Sequence, residues 1–427
     1  MRSSIPIIIL LILLLVTAGV FAKKATVTWM NMEDPKRFDL DGLVREFNKI
    51  EPDIEIKYIY TPTAFDEKLK AMMAAGTPPD IARINDDYLV GYALHDYLEP
   101  LDKYIEKYGP SKKEDYIDFF WEWPIVNGHH YIWINGATSR LFYVNEDLFK
   151  AVGLALPPRK WESPQWTWDH MLQTAQKLTQ DKNGDKVPDI WGVAIFHDTG
   201  CEQTWSMNNG ADGIYSKDGR KFTLASPKGI EAMQYLADLA YKYKVHPPKA
   251  LYDQQSPLDL FAGGKLAMFF ADTRVIPYLR QNAKGFEYAV RPVPMRVRGR
   301  QEGSLDTQGI IKGAKNPESA YKWLKFIASE KGQAIIAKSG YTMGLTPRWI
   351  EKYFLQTDLL PKDQDVIVES LHYYTPVPKA TEVERARQIY RPKLDNLWNG
   401  RQTAEQVLLS VKAEVEKLIA NFPDARF

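Results

Sequence analysis

Strand-like and helix-like segments alternate along the chain from Ala25 onward. Residues 25–30 and 54–60 are rich in β-branched and aromatic side chains, which predicts two strands. Between them, apolar residues recur at helical spacing over 40–50, and Asp39 is placed to cap the start of that helix. A second helical pattern over 65–73 and a short apolar run over 80–84 follow. This order predicts an α/β fold with a largely parallel sheet.

A second α/β region is predicted to start near Arg140. Strand patterns cover 141–144 and 192–196, and helical patterns cover 168–178, 228–243, 317–329 and 404–420. The intervening stretch from 115 to 133 is aromatic and loop-like. Because 427 residues exceed what a single core usually holds, we expect two domains. No flexible linker separates them, so several short crossings are expected to join the two cores.

The first 22 residues have the pattern of a secretory signal peptide. Arg2 precedes an apolar run over 5–16, and Val20 and Ala22 occupy positions typical of a signal-peptidase site. The run is shorter than the roughly 20 residues that a membrane-spanning helix needs. We therefore predict cleavage near Ala22 and a periplasmic or secreted mature protein, with an uncleaved membrane anchor as the alternative.

Charge and cysteine content exclude several classes of protein. Lys and Arg number 55 against 54 Asp and Glu, so the chain lacks the positive excess that nucleic-acid binding requires. The single cysteine, Cys201, can form neither an internal disulfide nor a cysteine zinc cluster. No HExxH, GxSxG, P-loop or GxGxxG motif occurs, so no catalytic activity is predicted. A glycosidase stays open, because its two carboxylates need no sequence motif.

Aromatic content points towards carbohydrate. The chain has 12 Trp and 23 Tyr, more than core packing usually requires. Flat rings with a polar edge can cover the C–H faces of sugars while bonding to their hydroxyl groups. This composition favours a sugar-binding protein.

One polar loop has the spacing of a calcium site. It supplies oxygen ligands at its first, third, fifth, seventh and ninth positions: Asp181, Asn183, Asp185, the Val187 carbonyl and Asp189. Gly192 stands where an EF-hand loop has its bidentate glutamate. A structural calcium ion and a solvated turn rich in Asp and Asn are therefore the two alternatives, and no other cofactor is expected.

Five short motifs carry a family resemblance. They are Ala75-Gly-Thr-Pro-Pro-Asp80, Arg140-Leu-Phe-Tyr-Val-Asn145, Phe261-Ala-Gly-Gly-Lys-Leu-Ala-Met268, Ile311-Lys-Gly-Ala-Lys-Asn-Pro317 and Gly400-Arg-Gln-Thr403. In this order and spacing, the chain resembles the extracellular solute-binding proteins of ABC sugar importers, the group that includes the maltose- and maltodextrin-binding proteins. The resemblance covers almost the whole chain, from about residue 25 to 419.

The resemblance implies an α/β, two-lobed periplasmic-binding-protein-like fold with a multi-segment hinge. Lobe one would comprise 23–136 and 309–342, and lobe two 137–308 and 343–427. The implied function is capture of a sugar or oligosaccharide between the lobes and its delivery to an ABC transporter permease in the membrane. A monomer is expected. A secreted carbohydrate-active enzyme, or a receptor of the same fold for a peptide, polyamine or phosphorylated polyol, is the alternative.

The resemblance also implies which residues contact the ligand. The turn after the first strand supplies Asn31, Glu33 and Asp34, and the loop after the third strand supplies Asn85, Asp86, Asp87 and Tyr88. The implied contacts from later segments are Trp133, Glu202, Trp205, Asp272, Arg274 and Arg387.

Two segments depart from the pattern of maltose-binding proteins. Asp272 and Arg274 stand in place of a tryptophan-rich turn, and Arg387 replaces a stacking aromatic residue near the last helix. Arginine can lie flat on a ring or bind a carboxylate through two parallel hydrogen bonds, so these changes allow an acidic or strongly polar sugar and argue against a maltodextrin. An ion pair of Arg274 with Asp272 is the alternative.

Overall fold

A computed structural model describes residues 24–109, 117–340 and 346–420 of the chain. The predicted signal peptide over 1–22, with its cleavage site near Ala22, lies outside the described residues. So does the lobe boundary that we placed between 342 and 343.

Eleven strands and eighteen α-helices make up the described part of the chain, together with short 3-10 and π turns. The strands are β1 (Ala25–Asn31), β2 (Ile54–Tyr60), β3 (Ile81–Arg83), β4 (Ile125–Val126), β5 (His129–His130), β6 (Ile132–Ala137), β7 (Arg140–Asn145), β8 (Trp191–Ile195), β9 (Leu266–Asp272), β10 (Tyr288–Arg291) and β11 (Leu305–Ile310). The helices are α1 (Leu40–Phe47), α2 (Phe65–Ala74), α3 (Leu89–Leu94), α4 (Asp102–Tyr108), α5 (Asp118–Glu122), α6 (Glu146–Ala151), α7 (Trp168–Leu178), α8 (Thr199–Asn208), α9 (Pro227–Tyr241), α10 (Lys249–Tyr252), α11 (Pro257–Ala262), α12 (Ile276–Asn282), α13 (Pro317–Ile327), α14 (Glu330–Lys338), α15 (Pro347–Trp349), α16 (Asp365–Glu369), α17 (Val383–Trp398) and α18 (Ala404–Ile419).

The two main sheets each form the centre of one lobe. In lobe one the strand order is β2-β1-β3-β11-β6, and in lobe two it is β10-β7-β9-β8. Strands β1, β2 and β3 are parallel, as are β8 and β9, whereas β11 and β7 run antiparallel to their neighbours. The prediction of a largely parallel sheet is therefore wrong for about half of the strand pairs. The exceptions involve β7 and β11, which enter their sheets from the hinge and from the other lobe.

The chain crosses between the lobes three times. It leaves lobe one between β6 and β7 and returns before β11, which pairs with both β3 and β6. It crosses again between α14, which packs on α1 and α13, and α16, which packs on β10. The return to lobe one is complete at Leu305, whereas the sequence placed it at Gly309. These three crossings are the multi-segment hinge that the resemblance implied.

Local sequence signals explain many of the element boundaries. The Asp39 side chain accepts a hydrogen bond from the Gly42 N–H, which caps α1. Thr403 and Gln406 form a reciprocal capping box at the start of α18. The predictions over 54–60 and 168–178 match β2 and α7 at both ends. The prediction of a loop-like stretch from 115 to 133 is wrong, because its described part contains α5, the β4–β5 hairpin and the start of β6.

Large aromatic side chains fill both cores. In lobe one, Trp323 packs edge-on against Trp29 and Phe47. In lobe two, the Trp168 ring lies 4.9 Å from the ring of Trp205, which in turn packs against Phe270. Much of the high aromatic content thus serves packing. Within the described ranges, no helix combines the length and apolarity needed to cross a membrane.

Candidate functional site

Strand ends of the two sheets, with the loops that follow them, face each other across a cavity of about 210 Å³. From lobe one, the loop after β3 contributes to its wall, and the hinge segment that leads into β11 adds Glu302 and Ser304. From lobe two, the wall receives the start of β7, the residues that follow β8 and β9, and helix α17. Its polar wall residues are Arg83, Asn85, Asp86, Asp87, Arg140, Asp198, Thr199, Arg274, Glu302, Ser304, Arg387 and Arg391. Such an interlobe position at strand ends is where open α/β sheets bind ligands.

Arg83 is the cationic centre of the lobe-one wall. It is the last residue of β3, and its side chain is only 8% exposed. Its guanidinium lies 3.2 Å from Asp306 and 3.7 Å from Glu33. The neighbouring Asp86 is half-buried, and desolvation raises the pKa of its carboxyl group against the opposing charge of Arg83.

Arg140 holds two acids in the lobe-two wall. It begins β7, and its guanidinium bonds to Asp198 at 3.0 Å and to Glu302 at 3.1 Å. Asp198 also caps α8 by accepting from the Cys201 N–H. Burial raises the pKa of Glu302 to about 7, although the charge of Arg140 opposes that change. This network fixes the positions of two carboxyl groups at the cavity.

Arg274 and Asp272 form a second fixed pair. The guanidinium lies 2.7 Å from the carboxylate and also donates to the Ser304 hydroxyl at 3.3 Å. Burial alone would raise the pKa of Asp272, but the charge and hydrogen bonds of Arg274 outweigh it and lower that pKa to about 2. The ion pair given as the alternative for Arg274 is thus present, while Arg274 also lines the cavity.

Helix α17 connects the lobes through Arg387. Its guanidinium forms an ion pair with Asp87 of lobe one, and it donates to the Tyr88 hydroxyl at 3.3 Å. The same guanidinium lies 5.3 Å from the centre of the Tyr88 ring, a cation–π distance. One turn later, Arg391 also faces the cavity and lies 3.5 Å from the buried Glu202 carboxyl.

Comparison with known proteins identifies the family. The family model of bacterial extracellular solute-binding proteins matches residues 39–334 of the chain. The chain belongs to this family. The resemblance drawn from the five motifs is therefore confirmed.

Several relatives of this solute-binding protein have described ligands. A maltotriose-binding protein of Pyrococcus abyssi is 22% identical over 93% of this chain and 81% of its own length. The sn-glycerol-3-phosphate-binding periplasmic protein of Salmonella typhimurium is 22% identical over 93% of each chain. An ABC substrate-binding protein of Listeria monocytogenes, solved in complex with cycloalternan, has a TM-score of 0.81, 23% identity, and coverage of 92% of this chain and 98% of its own. That likeness confirms the two-lobed fold.

The structure brings some of the expected ligand residues of this solute-binding protein to the cavity. Asn85, Asp86, Asp87, Arg274 and Arg387 line it directly. Glu33, Glu202 and Asp272 lie behind it and hold its arginines. Tyr88 lines a neighbouring cavity on the far side of Asp87.

Other expected residues lie elsewhere. Asn31 is buried at the end of β1 and accepts from the Glu33 N–H, and Asp34 accepts from the Lys36 N–H at the start of a 3-10 turn. Trp133 is 6% exposed and packs edge-on against Tyr321 in the lobe-one core. Trp205 is fully buried in lobe two. The two tryptophans therefore contribute to the cores in this structure.

Sequence reasoning missed five charged residues of the cavity: Arg83, Arg140, Asp198, Glu302 and Arg391. A usable signal existed for two of them. Arg83 precedes the loop already singled out, and Arg140 opens one of the five motifs. Asp198 and Glu302 come together only because the hinge returns distant segments to Arg140, and no local pattern carries that information.

The proposed calcium loop closes on itself through its own side chains. The Asp181 carboxylate accepts from the backbone N–H groups of Gly184 and Lys186, and Asp189 accepts from that of Lys182. Asn183 and Asp185 accept from backbone N–H groups two residues further on. In the described ranges, no cluster of three His, Cys, Asp or Glu is arranged to hold a metal ion. Calcium binding here, with the Val187 carbonyl as a ligand, stays a prediction.

Proposed function

We propose that this protein is the receptor of an ABC importer, and that it captures a saccharide between its lobes and delivers it to the membrane permease. The observation that carries the proposal is the interlobe cavity, whose wall combines carboxylates, guanidinium groups and the Ser304 hydroxyl from both lobes. Such groups donate to and accept from sugar hydroxyls. The maltotriose-binding relative and the cycloalternan complex support a saccharide ligand.

Closure of the lobes around the ligand is the proposed mechanism. A saccharide in this cavity contacts both lobes, so it binds the closed form more tightly than the open form and shifts the population towards closure. The Asp87–Arg387 ion pair adds a direct contact between the lobes. The permease then recognises the closed, loaded form. Export to the periplasm or cell exterior and a monomeric state belong to the same proposal.

Binding without turnover is part of this function. The cavity carboxylates Asp87, Asp198 and Glu302 each form an ion pair with an arginine. A glycosidase needs one carboxyl group to protonate the leaving oxygen and another to attack or activate water. Asp87 and Asp198, which are held by guanidinium groups, instead act as fixed hydrogen-bond acceptors. We therefore expect the saccharide to leave the protein intact.

The charge around the cavity favours a neutral saccharide over a phosphorylated polyol. Five arginines line the cavity, and eight carboxyl groups either line it or pair with those arginines: Glu33, Asp86, Asp87, Asp198, Glu202, Asp272, Glu302 and Asp306. A phosphate would have to displace these acids from their arginines. A neutral sugar can bond to the pairs as they stand.

A thermal-shift screen tests the proposal. The mature protein is heated with mono- and oligosaccharides, uronic acids, glycerol 3-phosphate, peptides and polyamines, because a ligand that binds only the folded state raises the melting temperature. The proposal expects a neutral saccharide to stabilise the protein and to be recovered intact. Recovery of cleaved sugar would support an enzyme instead. Stabilisation by glycerol 3-phosphate, peptides or polyamines alone would overturn the saccharide ligand.

A further inference from the structure

A second cavity of about 440 Å³ lies beside the first, between α3 of lobe one and the first two turns of α17 of lobe two. We call the first cavity the inner compartment and this one the outer compartment. Asp87 contributes to the walls of both. Its ion pair with Arg387, together with the Tyr88 ring beneath that guanidinium, therefore forms the boundary between the two compartments.

The outer compartment is aromatic where the inner one is not. Its lobe-one wall contains Tyr88, Tyr92, His95 and Tyr97. The rings of Tyr92 and Tyr97 meet edge to face at 5.6 Å, and His95 stacks on Tyr97 at the same distance. The described wall of the inner compartment contains no aromatic residue. Rings with polar edges are suited to the C–H faces and hydroxyl groups of a sugar.

The Tyr92 hydroxyl lacks a partner. The residue is only 4% exposed, and its hydroxyl oxygen is buried without a hydrogen bond to any described residue. Burial, and then the nearby carboxylates of Asp66 and Glu384, raise the pKa of this phenol, so it stays a proton donor at any physiological pH. A buried donor with no acceptor is costly, and a ligand oxygen would remove that cost.

The lobe-two wall of the outer compartment is polar, and its side chains contact lobe one. Glu384 accepts from Lys70 of α2 at 2.6 Å, and Glu382 lies 3.2 Å from His95. Gln388 stands one turn after Glu384 on the same wall. Because these contacts join the two lobes, separation of the lobes would expose the outer and inner compartments together.

We propose that the outer compartment is a second saccharide subsite, so that the ligand is an oligosaccharide that extends from the inner compartment past Asp87. This inference rests on the proposed function and specifies the length of its ligand. One sugar unit occupies the charged inner compartment. The next unit lies against the tyrosines, and one of its oxygens accepts the hydrogen bond that Tyr92 leaves unmade.

The test compares ligand length in the wild type and in Tyr92→Phe. Titration calorimetry with glucose to maltotetraose, and with mannose to mannotetraose, measures affinity as units are added. In one of these series we expect trisaccharide affinity to exceed monosaccharide affinity. Tyr92→Phe removes a single hydroxyl and should weaken trisaccharide binding about fivefold, without changing monosaccharide binding. Tyr288→Phe is the matched control, because that hydroxyl is likewise buried and unpartnered but lies in the lobe-two core.

The outcomes separate this inference from the proposed function. Equal affinity for all lengths, or an equal effect of Tyr92→Phe on short and long ligands, would overturn the second subsite while a saccharide receptor stands. A length-dependent loss in Tyr288→Phe of the same size would also overturn it. If neither series nor any other saccharide in the thermal-shift screen binds, the proposed function itself fails.

Discussion

Glu202 is a buried carboxyl group whose ionisation opposes folding. It is fully buried in α8, accepts from the Tyr390 hydroxyl at 3.1 Å and lies 3.5 Å from Arg391. Burial raises its pKa to about 7, and the charge of Arg391 only partly offsets this effect. The folded protein therefore keeps a proton here at pH values where the unfolded chain has lost it.

This linkage predicts that Glu202 lowers stability as the pH rises. A raised carboxyl pKa gives a stabilising contribution that is complete below about pH 4.5 and is lost as the pH rises through about 7. The free energy of unfolding of Glu202→Gln should thus rise relative to that of the wild type between pH 5 and 8, on the order of 1–3 kcal/mol. Denaturant titrations measure it. Glu405→Gln, at an exposed site on α18, should show a flat difference.

Trp205 is expected to affect stability far more than ligand binding. Its side chain is fully buried and packs against Trp168 and Phe270. Trp205→Ala should destabilise the protein by about 3–5 kcal/mol through the cavity that it leaves. Trp205→Phe should recover part of that loss. Urea unfolding measures the change, and an unaltered midpoint with strongly reduced saccharide affinity would show that the indole contacts ligand instead.

Only part of the site was predictable residue by residue. The loop after β3 was found because strand ends and the family resemblance both indicate it. Trp133 and Trp205 were placed at the ligand by resemblance alone. In the structure, β6 is buried along its whole length and α8 is buried from Gly200 to Asn208. A tryptophan on an element buried on every face shows no periodicity that separates a core position from a ligand position.

At the scale of elements, α17 controls contact between the lobes. Its Arg387 and Glu384 pair with Asp87 and Lys70 of lobe one. Arg387→Gln and Asp87→Asn should each favour the open form and enlarge the radius of gyration of the ligand-free protein in X-ray scattering. Saccharide affinity should fall about fivefold, since a partly buried pair contributes about 1 kcal/mol.

The control for this prediction is an ion pair inside one lobe. Arg159 pairs with Asp365 at 2.5 Å on the lobe-two surface, and both side chains are more than half exposed. Arg159→Gln should leave the radius of gyration unchanged. If Arg387→Gln and Asp87→Asn also leave it unchanged, α17 does not hold the lobes together.

The loop over 181–189 is predicted to be either a calcium site or a solvated turn rich in Asp and Asn. Its internal hydrogen bonds favour the solvated turn. Both Asp181 oxygens already accept backbone N–H groups within the loop. Neither 1 mM Ca²⁺ nor a chelator should therefore change the melting temperature. An upward shift with Ca²⁺ that Asp181→Asn abolishes would establish the calcium site, since a metal that binds only the folded state raises stability.

The alternation of elements was predictable, whereas the sheet topology was not. Helical and strand periodicity located β2 and α7 at both ends. The antiparallel entry of β11 depends on where the chain returns from the other lobe, and no local pattern encodes that point. The resemblance supplied the hinge and the lobes, because it draws on the order of motifs across the whole chain.

At the scale of the whole molecule, the central claim is that a saccharide occupies the space between the lobes. The crystal structure of the protein with the most stabilising neutral saccharide tests it most directly. We expect electron density in the inner compartment, with hydrogen bonds to at least one residue of each lobe, such as Asp86 and Arg274. A saccharide bound to one lobe only, or outside the interlobe space, would show that the ligand does not bridge the lobes.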